Sequence, residues 1–499
     1  MKILVYAAYA INTPHFETEL EILQRRLDKD DDVYVIGCNA NLLCCDVNWE
    51  HEPFVCLKCI GRRNEGLKLL SKPVTILPHY LLTLNDKAEL QAFECSLDDL
   101  EDLKKVMLDN FDVGYGVMSS LVSMTRDPHA DVRGYRQSIQ RLFLSSIAVY
   151  RSIQNYLDMY AFDRVYVYNG RYAPVRAVIR ACQGKKVDCY THEKGSSLTC
   201  YGLWQNTTIH DLENTACLIV EEWEMAADNR DREDLAKQFY LDRVQGISRT
   251  WIAFTKNQQK DLLPADWDER KKNIAIFVSS EDEFVAIGDQ WKHPLYSSQH
   301  EGIIALLEST GGHQDIHFYL RVHPNLQGVD NRQTRDLLSI NSANVTIIPA
   351  DSRVSTYALL RNSAQVVSFG STVGIEAVFW GVPSILLGQC FYRFLGATYN
   401  PESHEEAVEM ILSNLKPKGK LPALMYGYYF HTFGREFLYY DSKGIYEGYF
   451  RGAKVQPVKL IQLLSRILSW GTVTSLSKLL KNISYLQNSK IMGISYGKF

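Results

Sequence analysis

Between Asn273 and Gly388 the sequence alternates five apolar runs of strand length with four stretches of helical spacing, and few folds accommodate that rhythm. The strand-like runs are Ile274–Val278, Ile316–Leu320, Val345–Ile348, Gln365–Phe369 and Ser384–Leu387. Ser298–Glu308, Gln333–Ile340, Val354–Asn362 and Val373–Trp380 fall between them with apolar residues three and four apart. Strands that alternate with helices in this way wind a parallel sheet with helices on both faces.

The first 200 residues repeat the theme more loosely. Lys2–Ala7, Asp32–Gly37, Val74–Leu77, Val113–Val117, Arg164–Tyr168 and Val187–Thr191 read as strands, with helices at Phe16–Leu27 and Tyr135–Tyr160. From His210 to Lys272 the pattern is charged and mostly helical, and its one apolar run, Ala216–Val220, fits a strand or a buried helix equally. The expected α/β organisation is therefore an N-terminal Rossmann-like domain over 1–209, a helical connection over 210–272, and a second Rossmann-like domain over 273–400. Residues 401–499 form a C-terminal helical extension. Two such domains facing each other would leave a cleft between the carboxyl ends of their strands.

Those carboxyl ends are where an open α/β sheet binds ligands, and in the second domain they carry polar residues. The first strand runs into Ser279 and Ser280, the second into Arg321-Val322-His323-Pro324, and the fourth into Gly370-Ser371-Thr372 with Glu376 beyond. Small residues at Gly370–Gly374 let a phosphate approach backbone N–H groups at a helix N-terminus, where the dipole favours an anion. Ser371 and Thr372 add hydroxyl donors, Arg321 and His323 suit a diphosphate or departing phosphate, and Glu376 suits the two hydroxyls of a ribose.

The spacing Gly370, Glu376, Gly381-x-Pro383 resembles the donor-binding helix of GT-B glycosyltransferases. Arg321-Val322-His323-Pro324 followed by Gly370-Ser371-Thr372 resembles more closely the bacterial capsule-polysaccharide and sialyl-type transferases of that fold. The resemblance implies a GT-B-like chain whose second domain holds a nucleotide-sugar donor, with Glu376 on the ribose. The implied acceptor is a growing surface polysaccharide or a lipid-linked glycan.

In the N-terminal domain Arg164–Tyr168 runs into Asn169-Gly170-Arg171 and Val187–Thr191 into His192-Glu193-Lys194-Gly195. An inverting transfer needs a base within reach of the acceptor hydroxyl, and Glu193 is the first candidate, His192 the second. Sialyl-type transferases place two acids before a glycine here. This chain has Glu193-Lys194-Gly195, so the second acid is missing. Asn169, Arg171 and His15, the last in the loop after the first strand, are expected on the acceptor side. Gly114-x-Gly116 with Ser119-Ser120 reads as turn chemistry beside another strand. No Asp-x-Asp follows the donor strands, so the transfer is expected to run without a divalent metal, basic side chains and a helix dipole taking up the leaving charge.

Cys38, Cys44, Cys45, Cys56 and Cys59 crowd one short stretch, and Cys38, Cys45, Cys56 and Cys59 form a candidate structural zinc set. An iron–sulfur cluster uses the same thiolates, and buried free cysteines need neither. With 11 cysteines in 499 residues the chain is no disulfide scaffold, and its apolar start is too short for a signal core; a cytoplasmic location is expected. A net charge of −4 gives no reason to expect nucleic acid. The last segment is basic, with amphipathic spacing at Val458–Leu468 and Ser475–Leu486. The earlier helix suits packing back on the first domain, the later one contact with the anionic inner face of a membrane.

Three other functions share these features. Non-hydrolysing UDP-sugar 2-epimerases have the same architecture and a glutamate-bearing donor helix. CDP-glycerol or CDP-ribitol phosphotransferases also carry His-Pro. A degenerate transferase fold acting as an assembly scaffold is the non-enzymatic alternative.

Overall fold

The computed structural model describes residues 1–95, 97–250 and 253–459, with 484, 487–488 and 490–493. The chain divides into two units, the first comprising 1–125, 130–209 and 434–499 and the second 126–129 and 210–433. Most of the two amphipathic stretches expected near the C-terminus lies outside the described residues.

The first unit begins β1 (Lys2–Ala7), α1 (His15–Leu27), β2 (Asp32–Gly37), α2 (Pro53–Leu67) and β3 (Thr75–Leu77). A helical run follows: α3 (Leu84–Ala92), α4 (Leu100–Lys104), α5 (Val113–Thr125) and α6 (Arg136–Tyr160). It closes with β4 (Arg164–Tyr168), α7 (Ala173–Lys185), β5 (Asp188–Lys194) and β6 (Cys200–Gln205).

The second unit opens with α8 (Leu212–Met225) and α9 (Arg232–Val244), then β7 (Lys272–Phe277), α10 (Gln299–Thr310), β8 (Ile316–Arg321), α11 (Arg332–Ser339) and β9 (Val345–Ile348). It continues α12 (Thr356–Asn362), β10 (Gln365–Ser368), α13 (Val373–Trp380), β11 (Ser384–Leu386), α14 (His404–Leu412) and α15 (Leu421–Thr432). The chain then re-enters the first unit as β12 (Arg435–Glu436), β13 (Tyr440–Gly444) and β14 (Glu447–Phe450).

Both sheets are wound in parallel. In the first unit the order is β12-β6-β5-β4-β1-β2-β3, with β5 through β3 parallel and β6 and β12 added antiparallel at one edge. In the second it is β11-β10-β7-β8-β9, parallel throughout. Two Rossmann-like units of this kind are the element content of a GT-B chain. The all-apolar strands have a simple cause: helices cover both faces, so Ile274, Ala275, Ile276, Phe318, Tyr319 and Leu320 are all sealed from solvent.

Three expectations need correcting or resolving. Val113–Val117 is not a strand but the first turns of α5. Its glycines serve close helix packing: a Cβ on Gly114 would stand 1.8 Å from the carbonyl oxygen of Leu103, and one on Gly116 would stand 3.2 Å from the Cα of Ala173. Valine there favours a strand by propensity, and tertiary packing overrides it. Ala216–Val220 resolves as helix, inside α8. The helical connection expected over 210–272 contains α8 and α9, which pack through Ile219, Phe239 and Tyr240 into one apolar cluster with Tyr426 and Tyr429 of α15.

The segment that returns to the first unit is held by a carboxylate. Glu21, fully buried in α1, accepts backbone N–H groups from Leu438 and Tyr439 at 2.8 Å and Tyr440 at 3.2 Å, and pairs with Arg25 at 2.6 Å. Tyr440, Phe450 and Val455 then enter the core formed by Ile3, Val5, Phe16, Leu20 and Leu23.

Candidate functional site

In the second unit one register row crosses the sheet at its carboxyl edge: Leu386, Ser368, Phe277, Arg321 and Ile348 are successive cross-strand partners. Neighbouring strands lie about 4.8 Å apart. Ser279, His323 and Gly370 each stand two residues beyond this row on adjacent strands, and a Cβ built on Gly370 would stand 3.5 Å from the Ser279 hydroxyl. Gly370 has φ +101° and would drive that Cβ to 2.6 Å from the carbonyl oxygen of Gln389, so the position requires glycine.

Two buried glutamines hold the loop after β7. Gln299 accepts from the Ser279 N–H at 2.8 Å and donates to its carbonyl at 3.1 Å, and Gln333 donates to the same carbonyl at 2.8 Å. The Ser280 hydroxyl donates to Asp282, which also pairs with Arg126. These partners fix the loop, and no spacing rule in the sequence announces them.

Arg321 is 2% exposed, yet only its Nη2 has a partner, the carbonyl of Ser352 at 3.1 Å. Its Nε and Nη1 have none among the described residues. Burial pulls the guanidinium down to about 10, with the Asp351 charge opposing, and it stays a cation at neutral pH. An unanswered buried charge is costly unless an anion completes it. His323 beside it is lowered to about 4, chiefly by burial, and is neutral at pH 7. Its Nδ1 accepts from the Asn325 N–H at 3.2 Å, which leaves the ring proton on Nε2 as a donor.

Thr372 precedes α13, and the Ser371 carbonyl is held by Tyr392 at 2.5 Å and Ser368 at 3.1 Å. Glu376 is turned inward: it is 2% exposed and accepts from Tyr357 at 2.6 Å, Thr372 at 3.1 Å and Arg243 at 3.4 Å. Its oxygens are thus occupied by protein groups, where the sequence suggested ribose hydroxyls. Arg243, from α9, was not legible as a site residue. Its side chain is 39% exposed, lies over Phe239 at 4.5 Å, and offers a cation beside the start of α13.

The first unit brings a different set together. Glu193, ending β5, accepts from Asn169 Nδ2 at 2.9 Å and the Lys194 N–H at 3.0 Å, and its Oε1 lies 3.5 Å from His15 Nδ1. Burial alone would raise the carboxyl; His15, Asn169 and the backbone donor outweigh it and hold Glu193 below the usual range. His15 leans on Tyr168 with ring centres 4.3 Å apart. Asn169 (φ +55°) accepts from the Arg171 N–H at 3.2 Å, and the Arg171 guanidinium lies 4.8 Å from the Tyr172 ring.

His192 is a correction. It has no exposed surface, neither ring nitrogen has a hydrogen-bond partner among the described residues, and Nε2 lies 3.6 Å from the buried Glu19 carboxylate. Burial lowers it to about 3, so it is a neutral core imidazole that cannot touch a substrate. A carboxylate from elsewhere joins this edge instead. Asp46, in the loop after β2, accepts from the Tyr9 hydroxyl and feels Ser120 and Arg171, while burial raises its carboxyl. No sequence pattern signals Asp46, because Tyr9, Ser120 and Arg171 come to it from three separate segments.

The zinc set is also corrected. Among the described residues no group of three or more His, Cys, Asp or Glu side chains is placed to hold a metal ion. Burial pushes Cys56 up to about 12 and Cys59 up to about 11, and raises Cys38 and Cys45. Without a metal these thiols are held protonated by burial, and Asn48 Nδ2 lies 3.2 Å from the Cys56 sulfur. Among the described residues no helix is long and apolar enough to cross a membrane.

Residues 237–431 match the family model described as capsule polysaccharide biosynthesis protein. No curated protein matches the sequence. Among solved structures, the chain is similar to the beta Kdo 2,4 transferase KpsC of Thermosulfurimonas dismutans at 14% identity, covering 61% of this chain and 88% of that one, with a TM-score of 0.36. The beta Kdo 2,7 transferase of the same organism matches at 14% identity over 64% and 89%, TM-score 0.34. UDP-GlcNAc 2-epimerase of Neisseria meningitidis, bound to UDP-GlcNAc, matches at 12% over 94% and 100%, TM-score 0.27.

Proposed function

We propose that this chain, whose residues 237–431 match the capsule polysaccharide biosynthesis family model, is a GT-B-type glycosyltransferase moving a sugar from a nucleotide-sugar donor onto a growing capsule-like polysaccharide or lipid-linked glycan. The observation that carries the donor assignment is Arg321, a buried guanidinium with two unanswered donor nitrogens at the carboxyl edge of a parallel sheet. A phosphate is the anion that such a position suits, and it lies inside the family-matched segment.

In this reading Arg321 and the Nε2–H of His323 take the phosphate charge, with Ser279, Ser280, Gly370, Ser371 and Thr372 lining the approach to the N-terminus of α13. Glu376 acts through Arg243 and Tyr357, positioning them for the nucleoside, and does not grip the ribose itself. Glu193, ionised at neutral pH, accepts the proton of the acceptor hydroxyl. That oxygen bonds to the anomeric carbon as the bond to the donor phosphate breaks, the electron pair leaving with the nucleotide. His15, Asn169 and Arg171 orient the carboxylate and the acceptor.

A thermal-shift screen with CMP, CDP, UDP and GDP and their sugars tests the donor site, because a ligand that binds only the folded state raises its melting point. One nucleotide is expected to shift the wild type and to lose its effect on Arg321→Ala. Glu376→Ala is a poorer probe, since it would strand the buried Tyr357 hydroxyl and unfold the region for other reasons. Absence of a shift with every nucleotide overturns the reading. Release of a 2-epimer from donor alone would replace transfer with epimerisation.

A further inference from the structure

The strand that ends at Ser279-Ser280 runs on into three carboxylates, Glu281, Asp282 and Glu283, and the transfer chemistry uses none of them. Acids in that position oppose the site's purpose, because a phosphate drawn to Arg321 and His323 would meet their negative charge. Asp282 is the sharpest case. Its side chain is 4% exposed, so little water screens it, and its charge acts on the His323 ring.

The three acids are answered by different groups. Glu281 accepts from the Gln299 N–H at 3.1 Å and lies 3.6 Å from His293 Nε2, and Glu283 accepts from Asn325 Nδ2 at 2.6 Å. Asp282 accepts from the Ser280 hydroxyl and pairs with Arg126, the one cation ion-paired with it among the described residues.

Arg126 comes from far upstream. Residues 126–129 follow α5 in the sequence, yet they belong to the second unit. Their backbone is pinned there: the Arg126 carbonyl accepts from Asn331 Nδ2 at 2.7 Å, and Arg126 holds φ at +55°, a conformation uncommon for any residue but glycine. The guanidinium then spans two donor loops, Nε donating to Asp282 after β7 and Nη2 to the Asn325 carbonyl at 3.3 Å after β8. A second basic side chain of the same segment, His129, lines a small cavity with Glu281.

A tie between two loops needs hydrogen bonds but no charge, whereas a buried carboxylate beside an anion site needs a cation. The charged groups that act on His323 are Asp282, Arg321 and Arg126, and Asp282 and Arg126 pull it in opposite directions. The Phe254 ring, with its centre 5.4 Å from that of His323, adds no charge.

We propose that Arg126 is a positioning residue of the donor site, neutralising Asp282 so that the donor phosphates can enter beside His323 and Arg321. It acts through the carboxylate and the two loops, not on the donor itself. The inference rests on the donor reading of Arg321 for its purpose.

The test compares the full chain with Arg126→Gln, Arg126→Lys, Asp282→Asn and Arg126→Gln/Asp282→Asn by calorimetric titration with CMP, CDP, UDP and GDP. Glutamine keeps an N–H donor without the charge; lysine keeps the charge without the planar fork. Arg126→Gln is expected to weaken binding of the recognised nucleotide by about tenfold. Arg126→Lys and the double variant should both return to within about threefold of wild type. If Arg126→Lys loses as much as Arg126→Gln, or the double variant stays weak, Arg126 is only a mechanical tie and the proposal is overturned.

A second readout needs no nucleotide. The His323 ring, which titrates at about 4, is followed by NMR. Its midpoint should rise in Arg126→Gln, fall in Asp282→Asn and return toward wild type in Arg126→Lys; a midpoint that none of the variants moves overturns the proposal. Should Arg126→Gln not fold, Asp282→Asn decides, because it must bind nucleotide at least as tightly as wild type, and weaker binding overturns the proposal. Wild-type binding that Arg126→Gln leaves unchanged sinks only this inference. If no nucleotide binds wild type, the donor reading falls, and the His323 midpoints alone decide whether Arg126 neutralises Asp282.

Discussion

The two sheets end in opposite electrostatic conditions. At the carboxyl edge of the second unit Arg321 is a buried cation with two donor nitrogens unanswered among the described residues, and the histidine beside it is neutral. At the corresponding edge of the first unit, Glu193 is surrounded by donors, from Asn169, Lys194 and His15. An incomplete edge is built to be completed by a ligand of fixed charge. The satisfied carboxylate holds its charge at neutral pH, and on the proposed reading it takes a proton when an acceptor hydroxyl reaches it.

The sharpest way to break this comparison is Glu193→Gln. If the carboxylate is the base, kcat falls by about 10²–10⁴-fold while the nucleotide shift is unchanged. An undiminished rate would transfer the role to another group on that edge, with Asp46 the first to try. Next in size is Arg321→Met, for which kcat/KM should fall by about 10²–10³-fold. Stability should move the other way, gaining about 1–4 kcal/mol in denaturant unfolding, because an unpaired buried charge has been replaced by an apolar side chain. Loss of both activity and stability would mean that Arg321 is structural.

A smaller effect separates His192 from Glu193. The folded-state value of His192 is about 3, below its unfolded value, so the unfolded chain binds the extra proton in the window between. The stability it contributes is full above pH 6.5 and is lost as pH falls toward 3. At pH 5 the loss is about 2 kcal/mol. His192→Leu should flatten that part of the curve while transfer stays within a few-fold; a large loss of kcat would return His192 to the active edge. The smallest effect expected is none: if Arg321 and the α13 N-terminus take up the leaving charge, EDTA leaves the rate within about twofold. A rate abolished by EDTA and restored by a divalent ion would overturn that assignment.

Much of the second unit was legible because its strands are covered on both faces and so read as apolar runs; Val373–Trp380 and the strand ends that carry Arg321 and Gly370 follow from that pattern. β6 was not legible. Cys200–Gln205 lies antiparallel at the edge and mixes Gly, Trp and Gln, so it carries neither an apolar run nor a clean alternation. α5 was misread because glycine, valine and serine favour strands and turns locally, and only the close approach of Leu103 and Ala173 explains their use in a helix. The strand-end rule located residues that act from their own strand. It was blind to Arg243 and Asp46, which reach their partners across long sequence separations, and to the inward turn of Glu376, which depends on Tyr357 and Thr372 together.

The latch at Glu21 bears on the order in which the protein is made. The second unit is almost one continuous stretch, residues 210–433, and all but four of its residues emerge from the ribosome together. The first unit is begun earlier but finished later, for the three backbone N–H groups that satisfy Glu21 belong to Leu438, Tyr439 and Tyr440. Until they arrive, a nascent α1 carries a carboxylate that has no reason to leave water, and the core around Phe16 and Leu20 lacks Tyr440, Phe450 and Val455. Translation therefore delivers this molecule out of sequence, its opening residues waiting on its late ones before they can close.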